Sequence, residues 1–288
     1  MSDTSNVSIW MRPEQVQRSG PGRRPGYSRA QITATAIRIA DADGLDAATM
    51  RRIGQELGTG AMSLYRYVPK RDDLIDLMVD TVAGEIDLPD RPSGDWRADL
   101  SLVAHQTRAV GFRHPWQVTL ARRPTLGPNS LRVYDFALSA LDGFGLHIDA
   151  MTTLNSLVAN YVDSAVRDEI GWLEHARHTG MDRRQWMTEY VGPYVNQVVA
   201  SGKYPMFSRN IREGRLSHQP PDVRFQYGLD HVLNAIADAL PDRPTRRAPD
   251  ADPTTPGVCR PGRSPRVAGP DLAGVAGSAE VAAGGADR

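Results

Sequence analysis

The sequence predicts an all-α fold with a small N-terminal helical domain and a larger helical body. Between residues 27 and 240, apolar residues recur every three or four positions, as they do on one face of a helix. No stretch alternates apolar and polar residues in the manner of a half-buried strand. The chain has 288 residues, 40% of them hydrophobic, which is enough for two cores.

The two ends of the chain differ from its middle. Residues 1–26 are polar, basic and rich in Pro and Gly, and we expect them to form a disordered arm. Arg23 and Arg24 in this arm either reach into a DNA minor groove or only solvate the chain. Half of residues 241–288 are Pro, Gly or Ala and none is aromatic, which predicts a disordered tail.

The first two predicted helices have clear boundary residues. Ser28 and Gln31 have the spacing of a capping box, and Gly44 suits the end of the helix that they begin. Thr49 is a good N-cap for a second, short helix. Gly58 stands where a left-handed residue would end that helix. The sequence therefore predicts two short helices before residue 60.

A third helix, from Ala61 to Val68, is predicted directly after this turn. Leu64 and Val68 face inward, and the other face carries small, hydroxyl, aromatic and Arg side chains: Met62, Ser63, Tyr65, Arg66 and Tyr67. An ordinary surface helix more often has Glu and Lys there, whereas these groups suit contact with bases and phosphates. The layout is typical of a helix-turn-helix, although two ordinary packed helices remain the alternative.

A connecting helix over residues 69–86 follows, with Asp72 and Asp73 in its first turn, where acids favour the helix dipole. The Pro- and Gly-containing stretch 88–94 then breaks the chain. The body, residues 95–240, carries five main helical patterns: 96–107, 129–143, 151–173, 183–199 and 222–240. A short helix at His114-Pro115 is also predicted, because Pro favours the first turn.

The net charge is zero, but it is unevenly distributed along the chain. Residues 1–71 hold eleven cations and six acids, a balance of +5, so the rest of the chain carries −5. A basic N-terminal domain on an acidic body is typical of a phosphate-binding domain joined to a regulatory domain.

The stretch from Tyr27 to Ile86 resembles the DNA-binding domain of the TetR family of bacterial transcription regulators. The resemblance rests on Gly44-Leu45-Asp46, Met50-Arg51-Arg52-Ile53, Glu56-Leu57-Gly58, Met62-Ser63-Leu64-Tyr65, Tyr67-Val68, Lys70 and Asp73-Leu74-Ile75. More weakly, Asp95-Trp96-Arg97, His114-Pro115-Trp116, Arg122-Arg123-Pro124 and Leu126-Gly127-Pro128-Asn129 resemble the C-terminal regulatory domain of tetracycline-repressor-like members, as does the run at 225–230.

This resemblance implies a repressor that binds a palindromic operator in double-stranded DNA as a homodimer and leaves it when a small-molecule effector binds the body. The connecting helix 69–86 would transmit the movement. Helices 151–173 and 222–240 would form the dimer, although an intramolecular core would look the same in the sequence. The residues that would contact bases or phosphates are Thr49, Arg51, Ala61, Met62, Ser63, Tyr65, Arg66, Tyr67, Lys70 and Arg71.

Aromatic and polar residues of the body are candidates for the effector site: His105, Trp116, Tyr134, Asn155, Tyr161 and Trp172. For each of them, ordinary core packing is the alternative. Between His114 and Pro124 the chain is shorter than the tetracycline repressors and lacks their magnesium-contacting histidine. We therefore expect no metal and no cofactor, and tetracycline is not the expected effector.

Other functional classes receive little support. No run approaches the roughly 18 apolar residues of a membrane span, and the N-terminus does not resemble a signal peptide, so a cytoplasmic protein is expected. The single cysteine, Cys259, excludes an internal disulfide. Glu174, His175 and His178 fit an exposed helix end better than an active site. We therefore do not expect the protein to be an enzyme. The alternative to a DNA-binding regulator is a helical ligand-binding protein or an enzyme with no DNA-binding role.

Overall fold

The computed structural model describes residues 7–14, 26–120, 126–216 and 219–241. Within these ranges every regular element is a helix, which confirms the predicted all-α class. Arg23, Arg24, Cys259 and almost all of the predicted tail at 241–288 lie outside the described residues.

Three short helices form the N-terminal domain: α1 (Arg29–Asp43), α2 (Met50–Glu56) and α3 (Ala61–Leu64). As predicted, Ser28 and Gln31 form a capping box at the start of α1. The hydroxyl of Thr49 accepts the backbone N–H of Arg52 and so caps α2. The predicted third helix was too long, because α3 ends at Leu64 and Tyr65–Tyr67 form a turn.

The connecting helix and the body contain eight α-helices in the described ranges: α4 (Arg71–Ala83), α5 (Trp96–Arg113), α6 (Pro128–Ala140), α7 (Ile148–Thr179), α8 (Arg183–Gln185), α9 (Gly192–Ala200), α10 (Pro205–Glu213) and α11 (Pro221–Ala239). A 3₁₀-helix, Pro115–Thr119, lies between α5 and α6, and a π-helix, Trp186–Tyr190, lies between α8 and α9. The single helix predicted over 183–199 is divided, since Pro193 in the first turn of α9 has no N–H to continue the preceding helix.

The apolar core forms two clusters. The first lies in the N-terminal domain and α4 and includes Ile53, Leu64 and Leu74, each with no exposed surface. The second lies in the body, around α5, α6, α7 and α11. Val110 and Trp116 come from the body but belong to the first cluster, so the core of the N-terminal domain continues into α5 and the 3₁₀-helix.

The prediction of a disordered arm was wrong for residues 7–14. Ile9 is only 1% exposed and lies in the first core cluster, and Trp10 packs against that cluster. Arg12 forms an ion pair with Asp73 at 3.0 Å. The guanidinium of Arg29 donates to the carbonyl of Arg12 at 2.8 Å. Composition did not reveal this, because the partners of these residues lie far away in the sequence.

Candidate functional site

The turn between α2 and α3 brings the two helices into close contact. Gly58 adopts a φ of +69°, which favours glycine. A Cβ atom at Gly54 would lie 2.8 Å from the carbonyl oxygen of Thr59, so the chain needs glycine there as well. Leu64 and Val68, both with no exposed surface, anchor α3 on the core. This packing fixes the outward side of α3 relative to α2.

The outward side of α2 and α3 forms what we call the recognition surface, made of six residues: Thr49, Arg51, Met62, Ser63, Tyr65 and Arg66. Met62 is 79% exposed and Tyr65 is 41% exposed, so both side chains are open to solvent on this surface. Ala61 begins α3 and is partly exposed. The side chains therefore point outward as the sequence predicted for this group.

The arginines of this region divide into paired and unpaired groups. Arg52 is held by Asp43 at 2.5 Å and by Glu56 at 3.6 Å. Among the described residues, by contrast, no ion pair or hydrogen bond engages the guanidinium of Arg51 or Arg66. Two exposed positive charges are thus available to an anionic partner on the recognition surface.

Two of the ten predicted DNA-contacting residues take other positions. Tyr67 is 4% exposed and packs in the first core cluster, so the prediction that it faces outward was wrong. It lies three positions after the buried Leu64, a spacing that places both side chains on the same, inward side. Arg71 donates to the carbonyl oxygens of Ala48 and Leu45, the latter at 2.7 Å, and so fastens α4 to the segment before α2. The neighbouring Lys70 is exposed.

A cavity of about 390 Å³ lies between α4, α5, α6 and α7. Eight of its lining residues are valines and four are alanines, which makes the wall largely apolar. Val79 and Ala83 place the connecting helix in this wall. The polar residues that line it are Thr107, Gln117, Ser130, Tyr134, Asn155 and Asp163. A molecule in the cavity would therefore contact the connecting helix directly.

Of the six predicted effector-site residues, Tyr134 and Asn155 line this cavity and the other four lie elsewhere. His105 hydrogen-bonds Gln226 at 2.9 Å, and Trp172 packs edge-on against Trp186. The residues that the sequence analysis missed are mostly small and apolar, and they gave no signal that separates a cavity wall from a core.

Tyr161 joins α7 to α11 instead of facing the cavity. Its hydroxyl donates to the carbonyl of Phe225 at 2.7 Å. Burial raises the pKa of Tyr161, with a further rise from the negative charge of Glu169. A Cβ atom at Gly228 would lie 2.3 Å from the Tyr161 hydroxyl, so glycine allows this close approach. The phenol therefore acts as a structural contact between the two helices.

Trp116, the fourth predicted residue that does not line this cavity, belongs to a polar junction between the body and α1. Its indole N–H donates to the Asp41 carboxylate at 2.8 Å, and the same oxygen lies 2.8 Å from Nδ1 of His114. The other ring nitrogen of His114 lies 3.1 Å from the Glu85 carboxylate. His114 and Trp116 are 6% and 3% exposed. We call Asp41, Glu85, His114 and Trp116 the α1 junction.

A second polar contact joins the connecting helix to the body. Asp80 of α4 is 3% exposed, and its carboxylate accepts the backbone N–H of Ser130 at 2.8 Å. The same carboxylate accepts the side-chain amide of Asn129 at 3.2 Å. These groups lie in the first turn of α6, where free N–H groups and the helix dipole favour a negative charge. The connecting helix is thus bonded to α6 beside the cavity.

None of the helices in the described ranges is long and apolar enough to cross a membrane. The same part of the chain contains no group of three or more His, Cys, Asp or Glu side chains that could hold a metal ion.

Taken together, a helix-turn-helix and a helical body with a cavity beside the connecting helix define a ligand-responsive DNA-binding regulator. Comparison with known proteins agrees with this class. Residues 32–78 match the family model described as bacterial regulatory proteins, tetR family, and residues 88–240 match the tetracyclin repressor-like C-terminal domain. The chain belongs to the TetR family of bacterial regulatory proteins, and it is a DNA-binding transcriptional regulator, as the sequence predicted.

Relatives and solved structures give the same assignment. The HTH-type transcriptional repressor DrrR1 of Streptomyces coeruleorubidus is 34% identical over 236 residues, which is 81% of this chain and 86% of the relative. An HTH-type transcriptional regulator of Saccharopolyspora erythraea is 34% identical over 59% of this chain and 71% of its own. ActR of Streptomyces coelicolor, solved in complex with (S)-DNPA, is 26% identical, with a TM-score of 0.62 over 75% of this chain and 99% of ActR.

Proposed function

We propose that the protein binds a pseudo-palindromic operator as a homodimer in the cytoplasm and that a small organic effector in the cavity between α4, α5, α6 and α7 releases it. The observation that carries this proposal is the position of α4. Leu74, Met78 and Val82 of this helix pack in the core of the DNA-binding domain. Val79 and Ala83 on the same helix line the cavity. An effector that favours one arrangement of α4 thereby changes the affinity for DNA.

The recognition surface supports contact with DNA through phosphates more than through bases. Arg51 and Arg66 supply charge, and Thr49 and Tyr65 supply hydroxyls. Ala61 and Met62 at the start of α3 offer only apolar contact, for example to a thymine methyl group. Lys70 adds a cation at the start of α4. We leave Tyr67 and Arg71 out of this proposed set, because Tyr67 is packed in the core and Arg71 is bonded to backbone carbonyl groups.

Salt-dependent binding tests the proposal. A mobility-shift assay with DNA flanking the protein's own gene should show retention that weakens steeply as salt rises. Tyr65→Ala combined with Arg66→Ala should weaken binding about tenfold or more. Tyr194→Ala combined with Arg184→Ala, a matched exposed pair in the body, should not change it. Equal affinity of the two double variants would reject the recognition surface.

Exposed apolar side chains on the two long helices support a dimer. Leu173 of α7 is 51% exposed, and Val223 and Tyr227 of α11 are 47% and 52% exposed. Apolar side chains that are about half exposed on neighbouring helices favour an interface with a second copy of the chain. Sedimentation should show a dimer that Val223→Arg dissociates and that Leu126→Arg, another exposed position, leaves intact. A monomeric wild type that still binds the operator would contradict this part.

A structure of a similar protein with a bound small molecule supports the proposal that an effector binds the helical body of this chain. ActR has been solved in complex with actinorhodin, with a TM-score of 0.60 and 26% identity to this chain. The proposal gives the protein no catalytic step, since its relatives are transcriptional regulators.

A further inference from the structure

Four side chains near the N-terminus together contact the DNA-binding helices and the body. We call them the strap: Ile9, Trp10, Arg12 and Glu14. Ile9 lies in the first core cluster, and Trp10 lies against the start of α6, because a Cβ atom at Gly127 would come within 2.6 Å of its ring. The strap precedes residue 32, where the match to the family model begins. It therefore lies outside the part of the chain that the model describes.

Trp10 covers the polar contact between α4 and α6. A Cβ atom at Gly127 would also meet the carboxylate of Asp80, so the indole ring and this carboxylate approach the same glycine. The carboxylate accepts the backbone N–H of Ser130 at 2.8 Å. Hydrogen bonds that are shielded from water are stronger than exposed ones, because the local dielectric constant is lower. Loss of the indole ring would therefore let water compete for the bonds between α4 and α6.

A second contact of the strap lies two turns earlier on the same face of α4. Arg12 forms an ion pair with Asp73, and the side chains of the pair are 13% and 10% exposed. Asp73 and Asp80 are seven residues apart, a spacing that places both carboxylates on one face of the helix. The strap thus follows α4 and holds it at two places.

Arg29, at the start of α1, ties the strap to the end of α3. Its guanidinium donates to the carbonyl of Arg12 at 2.8 Å and to the carbonyl of Tyr67 at 3.1 Å. The backbone N–H of Arg29 donates to the Glu14 carboxylate at 2.6 Å. A single residue therefore joins α1, the strap and the segment directly after α3, the helix that carries much of the recognition surface.

From these contacts we infer that the strap holds α3 and α4 in position for DNA binding and that Trp10 is its positioning residue at the α6 end. The inference rests on the proposed role of the recognition surface. A surface that is held firmly loses less conformational freedom when it binds, so the strap raises the affinity for DNA without touching it. An effector that moves α4 must also displace Trp10 from Gly127 or carry the strap with it.

Trp10→Ala tests the inference, with Met11→Ala as the matched control. Both residues belong to the 3₁₀-helix Ile9–Met11, but Met11 is 78% exposed and is not part of the strap. In Trp10→Ala, hydrogen exchange of the ligand-free full-length protein should be at least about threefold faster in α4 and at the start of α6. Mass spectrometry of peptides reads this out. Peptides from α11 should exchange as in the wild type, and Met11→Ala should match the wild type throughout.

Operator binding gives the second readout. In the mobility-shift assay Trp10→Ala should bind about three- to tenfold more weakly than Met11→Ala, because its recognition surface is held less firmly. The slope of log affinity against log salt should stay at the wild-type value, since an uncharged positioning residue makes no phosphate contact. Arg12→Met removes the other contact with α4 and should weaken binding in the same direction. Circular dichroism checks that each variant folds.

Three results would overturn the inference. They are wild-type exchange at the start of α6 in Trp10→Ala, equal operator affinity of Trp10→Ala and Met11→Ala, and a reduced salt slope in Trp10→Ala, which would make the strap a DNA contact. A wild type that does not bind the operator would contradict the proposed function. The exchange measurement needs no DNA, so it decides separately whether Trp10 holds α4 to α6.

Discussion

Removing the Asp41 carboxylate tests the α1 junction. One oxygen of Asp41 accepts the indole N–H of Trp116 and lies at hydrogen-bond distance from His114, each at 2.8 Å. In Asp41→Ala the N–H of Trp116, a residue only 3% exposed, loses its acceptor inside the first core cluster. An orphaned buried donor costs about 1–3 kcal/mol.

The exposure of Asp41 sets where in this range the cost falls. Its side chain is 30% exposed, so water can enter the vacated space and replace part of the lost bond. We therefore expect the free energy of unfolding to fall by about 1–2 kcal/mol, toward the lower end of that range. For a chain of this size the midpoint of thermal unfolding should fall by roughly 2–8 °C.

The assay is thermal and urea unfolding followed by circular dichroism at one fixed protein concentration, since dimerisation makes the midpoint concentration-dependent. Asp46→Ala is the matched control, because it removes an exposed acid from the same domain. Asp41→Ala should also cost less in a Trp116→Phe background, where no indole N–H remains. Equal costs for the two aspartates, or no coupling between Asp41 and Trp116, would refute this account of the junction.

Three further substitutions test other contacts. Ile9→Ala should lower the free energy of unfolding by about 2–4 kcal/mol, while Met11→Ala, which is 78% exposed in the wild type, should change it little in the same urea titration. Gly228→Ala should lower the thermal midpoint clearly, because its Cβ atom would meet the Tyr161 hydroxyl and separate α7 from α11. The pKa of Tyr161 is higher in the folded protein than in the unfolded chain. The neutral Tyr161 hydroxyl therefore stabilises the fold below the ordinary tyrosine pKa of about 10, and this stabilisation is lost as the pH rises through the pKa of the folded protein. Tyr161→Phe should remove that alkaline loss from a plot of stability against pH.

The N-terminal domain could be predicted from sequence because its signals are local. The capping box at Ser28 and the N-cap at Thr49 each involve residues three positions apart, so the sequence alone contains both partners. The error at Tyr67 concerns the same kind of local signal. Tyr67 stands three positions after the buried Leu64, and that spacing indicates the inward side of the helix.

The errors outside this domain involve partners that lie far apart in the chain. Ile9 and Arg12 are ordered by α1 and α4, since Arg12 bonds to Asp73, 61 residues away. Trp116 resembled a pocket aromatic, but its acceptor is 75 residues earlier, at Asp41. Spacing within a helix does not encode such pairs. The cavity was missed for a related reason, since valines and alanines at helical spacing are identical in a core and in a cavity wall.

In the proposed function, the α1 junction and the Asp80 contact are the connections through which occupancy of the cavity would act on the DNA-binding helices. Asp80 lies between the two α4 residues that line the cavity, Val79 and Ala83, and Glu85 follows the end of that helix. Trp116 directly precedes Gln117 and Val118, the lining residues of the 3₁₀-helix. Hydrogen bonds weaken steeply once their geometry is lost, so a small shift of this wall must either break these bonds or carry α1 and α4 with it. Because α2 and α3 pack on α1 and α4, either outcome changes how the recognition surface is held. The polar contacts that the sequence analysis missed are thus the ones that would connect effector binding to DNA binding in the proposed function.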